Sequence, residues 1–135
     1  MMAKLFLLLG TVNAGLCVIL GAFAAHKLKT LLSETSLVTF QTGVQYHFYH
    51  SFALIVVGVL MVQVNAHLDG IRLEGALTNL RYAGLAFMLG ILLFSGSLYG
   101  LSTMGWKILG PITPLGGLLF IIAWFLLAKG IYKGF

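Results

Sequence analysis

The chain has 135 residues, of which 60% are hydrophobic and only 8% charged, with a net charge of +5 and a mean hydropathy of +1.04. Soluble domains carry roughly 25% charged residues, and a globule this poor in charge would expose apolar patches large enough to aggregate. The composition therefore excludes an ordinary soluble domain and indicates an integral membrane protein whose partner is the lipid bilayer. The basic residues flank apolar runs and do not cluster on one face, which argues against nucleic acid as a partner.

Four uncharged apolar segments follow one another, each long enough to cross about 30 Å of hydrocarbon as a helix. Backbone groups in lipid must be hydrogen-bonded within the chain, so these segments are predicted to be helices. We therefore predict one all-α domain over residues 1–135, an integral membrane four-helix bundle. The predicted spans are residues 5–25, about 46–64, 82 to about 103, and about 112–128.

The first segment has an alternative interpretation as a signal peptide. Lys4 precedes it, and Ala22-Phe23-Ala24 has the form of an A-x-A cleavage site. Its 21 residues exceed the roughly 7–15 of a signal-peptide core. We therefore expect a retained first helix.

The connections between the spans are short. Before the second span, Ser33 or Thr35 can cap a helix, and apolar residues then recur at helical spacing, which predicts a short interfacial helix. An extension of the second span beyond the membrane is the alternative. Residues 67–81 are predicted to form a polar hairpin carrying Asp69, Arg72, Glu74 and Arg81, and Thr113-Pro114 has the form of a helix start.

The distribution of basic residues predicts the orientation in the membrane. With four spans, both termini and the middle connection lie on one side, which holds five basic residues against three on the other. The positive-inside rule then places both termini in the cytoplasm of a multi-pass protein of the inner (plasma) membrane. The first group is Lys4, Arg72, Arg81, Lys129 and Lys133, and the second is Lys27, Lys29 and Lys107.

Small residues recur at four-residue spacing in the first and third spans. Such small-xxx-small pairs allow close approach of helix backbones in lipid. They predict packing inside the bundle or, as the alternative, the interface of a homo-oligomer. The glycines assigned to helix packing are Gly21, Gly84, Gly90, Gly96 and Gly100.

The sequence "QYHFYH", residues 45–50, combines one Gln, two Tyr and two His at the start of the second span. His47 and His50 are three residues apart and share a helical face, and His26 ends the first span on the same side of the membrane. We predict a polar or ligand site near one membrane face, or a purely structural hydrogen-bonded seam between the first two spans. Its candidate residues are His26, Gln45, Tyr46, His47, Tyr49 and His50.

Three functions are compatible with this cluster. His26, His47 and His50 are weak candidates for a three-nitrogen metal site. A histidine near the membrane interface can also relay protons, and a Tyr/His/Gln cluster can hold a lipid or quinone headgroup. Elsewhere at membrane depth, Asn13 is expected to bond a neighbouring helix, and Ser95, Ser97 and Tyr99 are the other polar groups.

Three stretches, "GAFAAHKL" (21–28), "TGVQYHFYHSFAL" (42–54) and "FSGSLY…LGPITPLGGLLFIIAW" (94–124), resemble the YgdD-like family of small uncharacterised inner-membrane proteins. The resemblance covers nearly the whole chain, although Ala24 and Lys27 replace glycines common in the first motif. It implies a four-helix membrane protein and supplies no activity or cofactor. It directs attention to the histidines and tyrosines above and to residues 113–117.

The sequence thus predicts a membrane protein that acts as a binding or accessory module. A small oligomeric transporter or channel is one alternative, and a metal- or quinone-binding redox partner is another. No span carries a charged residue at its centre, which argues against an ion-coupled carrier. No nucleophile–base pair or phosphate-binding loop recommends an enzyme.

Overall fold

The computed structural model describes residues 1–67 and 70–135, and the described residues confirm an all-α fold. Among the described residues, four stretches are long and apolar enough to cross a membrane: Met2–Thr30, Glu34–His67, Gly70–Met104 and Lys107–Gly134. The α-helices are α1 (Met2–His26), α2 (Glu34–His67), α3 (Gly70–Gly90), α4 (Gly96–Met104) and α5 (Ile112–Gly134). A π-helical segment (Ile91–Ser95) joins α3 to α4, and 3₁₀ turns occur at Leu28–Thr30 and Lys107–Leu109.

The second span begins earlier than the apolar run suggests. α2 is one helix of 34 residues, so the segment predicted as a separate interfacial helix is its N-terminal extension. The Ser33 hydroxyl accepts the backbone N–H of Ser36 at 3.2 Å, which confirms a serine cap. Phe40 is buried against Ala24 of α1 and Leu28 of the 3₁₀ turn that follows α1. The extension thus continues α2 and packs on the end of the first span.

The connection between the second and third spans is also shorter than predicted. α3 begins at Gly70, so Arg72, Glu74 and Arg81 lie on a helix and not in a hairpin. Asp69, which the sequence placed in that hairpin, lies outside the described residues. The last α-helix, α5, begins at Ile112, after Pro111, so Thr113 lies inside the helix. The Thr113 hydroxyl does not cap the helix and lies 2.7 Å from the Ser97 hydroxyl.

Consecutive spans run antiparallel. Gly10 faces Ser51 and Ile55 while Gly21 faces Val44, so α1 and α2 run in opposite directions. In the same way α5 opposes α3, since Gly90 faces Phe120 and Gly130 faces Leu80. Both chain termini and the start of α3 therefore lie at one end of the bundle. The 3₁₀ turns lie at the other.

Most of the predicted packing glycines act inside the chain. A Cβ on Gly84 would lie 2.5 Å from the Phe6 ring, and one on Gly90 would lie equally close to the Phe120 ring. Gly100 faces Leu109, and Gly21 makes only ordinary contact with Val44. Gly96 differs, because a Cβ there would meet no described atom within 4 Å. The prediction that Gly96 packs against a helix, of this chain or of a second copy, stays a prediction.

Candidate functional site

The two histidines of "QYHFYH" are buried at mid-height of the bundle. Their side chains are 4% and 5% exposed, and His50 is the seventeenth of the 34 residues of α2. Asn13, which contacts His47, is the twelfth of the 25 residues of α1. The histidines therefore lie near the middle of α2, beside the middle of α1, and not at the ends of these helices, because α2 begins well before the apolar run.

His47 links three helices through a directed chain of hydrogen bonds. The Asn13 side-chain amide donates to the Leu9 carbonyl at 2.7 Å, which leaves its Oδ1 as the acceptor facing His47 Nε2 at 2.8 Å. His47 must therefore carry its proton on Nε2. Its Nδ1 then accepts from the Tyr99 hydroxyl at 3.1 Å. The interhelical bond predicted for Asn13 is confirmed.

His50 has different partners and the opposite tautomer. Its Nδ1 lies 2.7 Å from the Tyr46 carbonyl, which can only accept, so this nitrogen carries the proton. The Trp124 indole N–H donates to His50 Nε2 at 3.3 Å. The Phe120 ring lies parallel to the imidazole, with ring centroids 3.4 Å apart. His50 is thus held by α5 in aromatic surroundings.

Of the other predicted site residues, Tyr46 adjoins His50, since its carbonyl faces Nδ1 and its ring is stacked with the imidazole at a centroid distance of 6.0 Å. The remaining ones are placed elsewhere. Gln45 donates to the Tyr49 hydroxyl at 2.7 Å on the exposed side of α2. Tyr46 is 39% exposed and packs its ring on Phe94. His26 is exposed at the end of α1, about 20 Å along the helix from the level of Asn13 at 1.5 Å per residue.

The predicted three-histidine metal site is not assembled. Within residues 1–67 and 70–135, no group of three or more His, Cys, Asp or Glu side chains could hold a metal ion. Both ring nitrogens of His47 and His50 face protein partners, and His26 lies far along α1.

A cavity of about 340 Å³ lies beside His47, between α1, α2 and the π segment with α4. We call it the lateral groove. Leu92 on its rim is 66% exposed and Gly96 is exposed, so the groove opens sideways, toward lipid in a membrane. None of its lining residues is Asp, Glu, Lys or Arg. They are Leu9, Asn13, His47, Leu54, Met88, Ile91, Leu92, Gly96 and Tyr99.

A second depression, of about 540 Å³, lies on the other side of α2. We call it the aromatic groove, because four aromatic side chains and His50 form much of its wall. It is lined by Tyr46, His50, Phe94, Pro114, Gly117, Leu118, Phe120, Ile121 and Trp124. Sequence reasoning did not identify Phe120 or Trp124 as neighbours of His50, since both lie in an uninterrupted apolar run.

The four long apolar helices and the buried polar centre define an integral membrane protein. Residues 20–117 match the family described as "Protein of unknown function (DUF423)". Over 130 residues the chain is 46% identical to the UPF0382 membrane protein YwdK of Bacillus subtilis, covering 96% of this chain and 98% of that protein. A UPF0382 membrane protein of Haemophilus influenzae is 36% identical over 135 residues, covering 98% of this chain and 97% of that protein.

The chain therefore belongs to the DUF423 (UPF0382) family of membrane proteins, whose function is unknown. No solved structure matches it.

Proposed function

We propose that the protein binds an uncharged amphipathic lipid in the lateral groove. The observation that carries this proposal is the hydrogen-bonded chain Tyr99–His47–Asn13 in the wall of an otherwise apolar groove that opens sideways. Ligand sites are commonly apolar clefts with a few fixed polar groups. A volume of about 340 Å³ suits a ring or a short headgroup, with an apolar tail left in the bilayer.

The polar end of the groove retains hydrogen-bonding capacity for a ligand. Asn13 has two amide hydrogens, and one is bonded to the Leu9 carbonyl. Tyr99 donates its hydroxyl hydrogen to His47 and keeps oxygen lone pairs as acceptors. The site can therefore both donate to and accept from a ligand. His47 holds these two groups in fixed orientations.

The charge and depth of the site favour a neutral ligand. An ion buried in an apolar site needs an opposite charge, and no lining residue is Asp, Glu, Lys or Arg. Asn13 lies roughly 16–20 Å from either end of α1. A phospholipid headgroup stays at the membrane surface and does not reach this depth. A carbonyl or hydroxyl group on a chain within the bilayer interior does.

The test measures how much neutral lipid stays bound to the protein after purification in mild detergent. The lipid is extracted and quantified by mass spectrometry as moles of lipid per mole of protein. His47→Phe removes both bonds of the chain, and we expect at least a tenfold loss of a specific neutral lipid. His50→Phe is the matched control and should retain it. Equal retention by both variants and the wild type would rule the proposal out.

A second pair of variants tests the groove without touching its polar chain. Gly96→Leu places a side chain at the open rim and should displace the lipid. Gly15→Leu is the control, because a Cβ on Gly15 also meets no described atom within 4 Å but lies outside the groove. Loss of lipid in both variants, or in neither, would contradict lateral entry into this groove.

We also propose that the protein lies in the inner (plasma) membrane with both termini in the cytoplasm, as its basic residues suggest. Its motifs further suggest the YgdD-like group as its place within the family. Reporter fusions test the orientation: a C-terminal green fluorescent protein should fluoresce, and a C-terminal alkaline phosphatase should be inactive. An inactive fluorescent protein and an active phosphatase would show that the C-terminus lies outside the cytoplasm and would contradict the proposed orientation.

A further inference from the structure

A cavity at the end of the bundle that holds both chain termini carries basic side chains from two helices. Its volume is about 350 Å³, and we call it the basic cavity. α3 contributes Arg72 from its first turn, and α5 contributes Lys133 from its last. The other lining residues are Ile71, Gly75 and Tyr132. The antiparallel packing of α3 on α5 therefore brings two cations from distant parts of the sequence to one cavity.

Gly75 makes room for the side chain of Lys133. A Cβ at Gly75 would lie 3.4 Å from Nζ of Lys133 and 3.5 Å from its Cδ. The lysine side chain therefore lies across α3 and brings its ammonium group to the wall of the cavity. Gly130 and Gly134 pack closely on buried side chains, which holds this end of α5 against its neighbours.

The charge of the basic cavity favours an anion. None of the described residues that line it is Asp or Glu. Glu74 belongs to the same part of α3, but it is two residues from Arg72, and helical residues at this spacing do not face each other. Two like charges at one cavity repel each other, and an anion between them offsets this repulsion.

The basic cavity lies at the level of lipid headgroups. Lys133 is five residues beyond Ala128, where the fourth apolar run ends, and this is about 7 Å along the helix. The headgroup region extends about 5–7 Å beyond the hydrocarbon core on each side. Ile71 and Tyr132 on the rim are 91% and 87% exposed, as is typical of side chains that contact lipid at the membrane boundary.

We propose that the basic cavity binds the phosphate group of an anionic glycerophospholipid. The Arg72 guanidinium offers a planar fork of donors, the Lys133 ammonium a compact charge, and the Tyr132 hydroxyl a further donor. A phosphate has acceptor oxygens for all three. A zwitterionic headgroup adds an ammonium that both cations repel, so a lipid with a net negative charge is preferred. Basic pockets between membrane helices bind such headgroups in other proteins.

The experiment compares dioctanoyl phosphatidylglycerol, which is anionic, with dioctanoyl phosphatidylcholine, which is zwitterionic and has equal tails. Native mass spectrometry of the full chain, released from detergent micelles, measures the dissociation constant of the first bound lipid. The wild type should bind phosphatidylglycerol about tenfold more tightly than phosphatidylcholine. Arg72→Gln and Lys133→Gln should each weaken phosphatidylglycerol binding by about fivefold.

The chain offers a matched control for each of these variants. Arg81→Gln removes the same charge from α3, and Lys129→Gln removes the same charge from α5. Both side chains are exposed and neither lines the cavity, so both variants should bind phosphatidylglycerol like the wild type. Gly75→Leu changes no charge but displaces the Lys133 side chain, and it should also weaken binding. Arg72→Lys keeps the charge without the fork and should bind with intermediate affinity.

Three results would overturn the proposal. The first is equal affinity of the wild type for the two lipids, and the second is an equal loss in the cavity variants and their controls. The third is complete displacement of phosphatidylglycerol by an excess of inorganic phosphate, which would assign the cavity to a soluble phosphate. Circular dichroism checks that each variant keeps its helices.

The inference is separate from the proposed function, since the lateral groove takes a neutral ligand at the middle of the bundle. Arg72→Gln and Lys133→Gln should therefore retain the neutral lipid of that groove. Loss of phosphatidylglycerol selectivity with the neutral lipid retained, or the reverse, shows which of the two sites has failed.

Discussion

The two flanks of α2 hold the same side chain in different surroundings. On one flank, His47 bonds two polar side chains and borders the lateral groove. On the other, His50 stacks on Phe120 and accepts a bond from Trp124. His47 carries its proton on Nε2 and His50 on Nδ1, because their partners differ. Each flank borders an open groove. Among the described residues, only the first flank joins polar side chains of three helices in one hydrogen-bonded chain.

The comparison shows that one turn of helix separates a packed seam from a candidate binding site. The three-residue spacing placed both imidazoles on one broad face of α2. The neighbouring helices then contact the two halves of that face differently. α5 covers the His50 flank with aromatic rings, whereas α1 and the π segment leave the groove beside His47. Four substitutions test this division through the free energy of unfolding in mixed detergent micelles.

The largest effect is expected from Gly116→Ala on the His50 flank. A Cβ at Gly116 would overlap the backbone N and Cα of Phe94, which cannot move aside as a side chain can. Overpacking of this kind costs about 1–3 kcal/mol. Gly117→Ala is the control, since its Cβ would lie 3.7 Å from the Phe94 ring, and it should not destabilise the protein. Equal stability of the two variants would show that this flank is loosely packed.

His50→Phe should have the next largest effect. The new ring can still stack on Phe120, but the bonds to Trp124 and the Tyr46 carbonyl are lost, at a cost of about 1 kcal/mol. In a Trp106→Phe background, the fluorescence of Trp124 should shift in His50→Phe and not in His47→Phe. A shift in both variants would mean that the two flanks are not independent.

Asn13→Leu should cost about 0.6 kcal/mol, the typical value of a hydrogen bond between helices in a membrane. The substitution removes the bond from α1 to His47 and puts an apolar side chain of similar size in place of the amide. Thr11→Leu is the control, because the Thr11 hydroxyl is exposed and bonds only carbonyls of its own helix, and it should be neutral. A neutral Asn13→Leu would show that the His47 chain does not hold α1 on α2.

Gly96→Ala should have the smallest effect and the opposite sign. Its added methyl meets open space, so only the higher helix propensity of alanine acts, a gain of about 0.5 kcal/mol. Gly15→Ala, also in open space, should behave alike. A destabilised Gly96→Ala would mean that another molecule or a second copy of the chain packs against this rim.

The sequence by itself determined the membrane character, the four helices and their alternating direction, because apolar length and backbone hydrogen bonding in lipid leave few alternatives. It also indicated that His47 and His50 share a helical face and that Asn13 bonds another helix. These are local properties, set by spacing within one segment.

Only the tertiary structure decided the partners and the depth of the histidines. Asn13, Tyr99 and Trp124 are separated from their histidines by 34, 52 and 74 residues, so no local pattern pairs them. The extension of α2 and the π turn at Ser95 likewise depend on contacts with other helices. The lateral groove exists because α1 leaves a gap beside the π segment, and a gap between helices is a property of their packing.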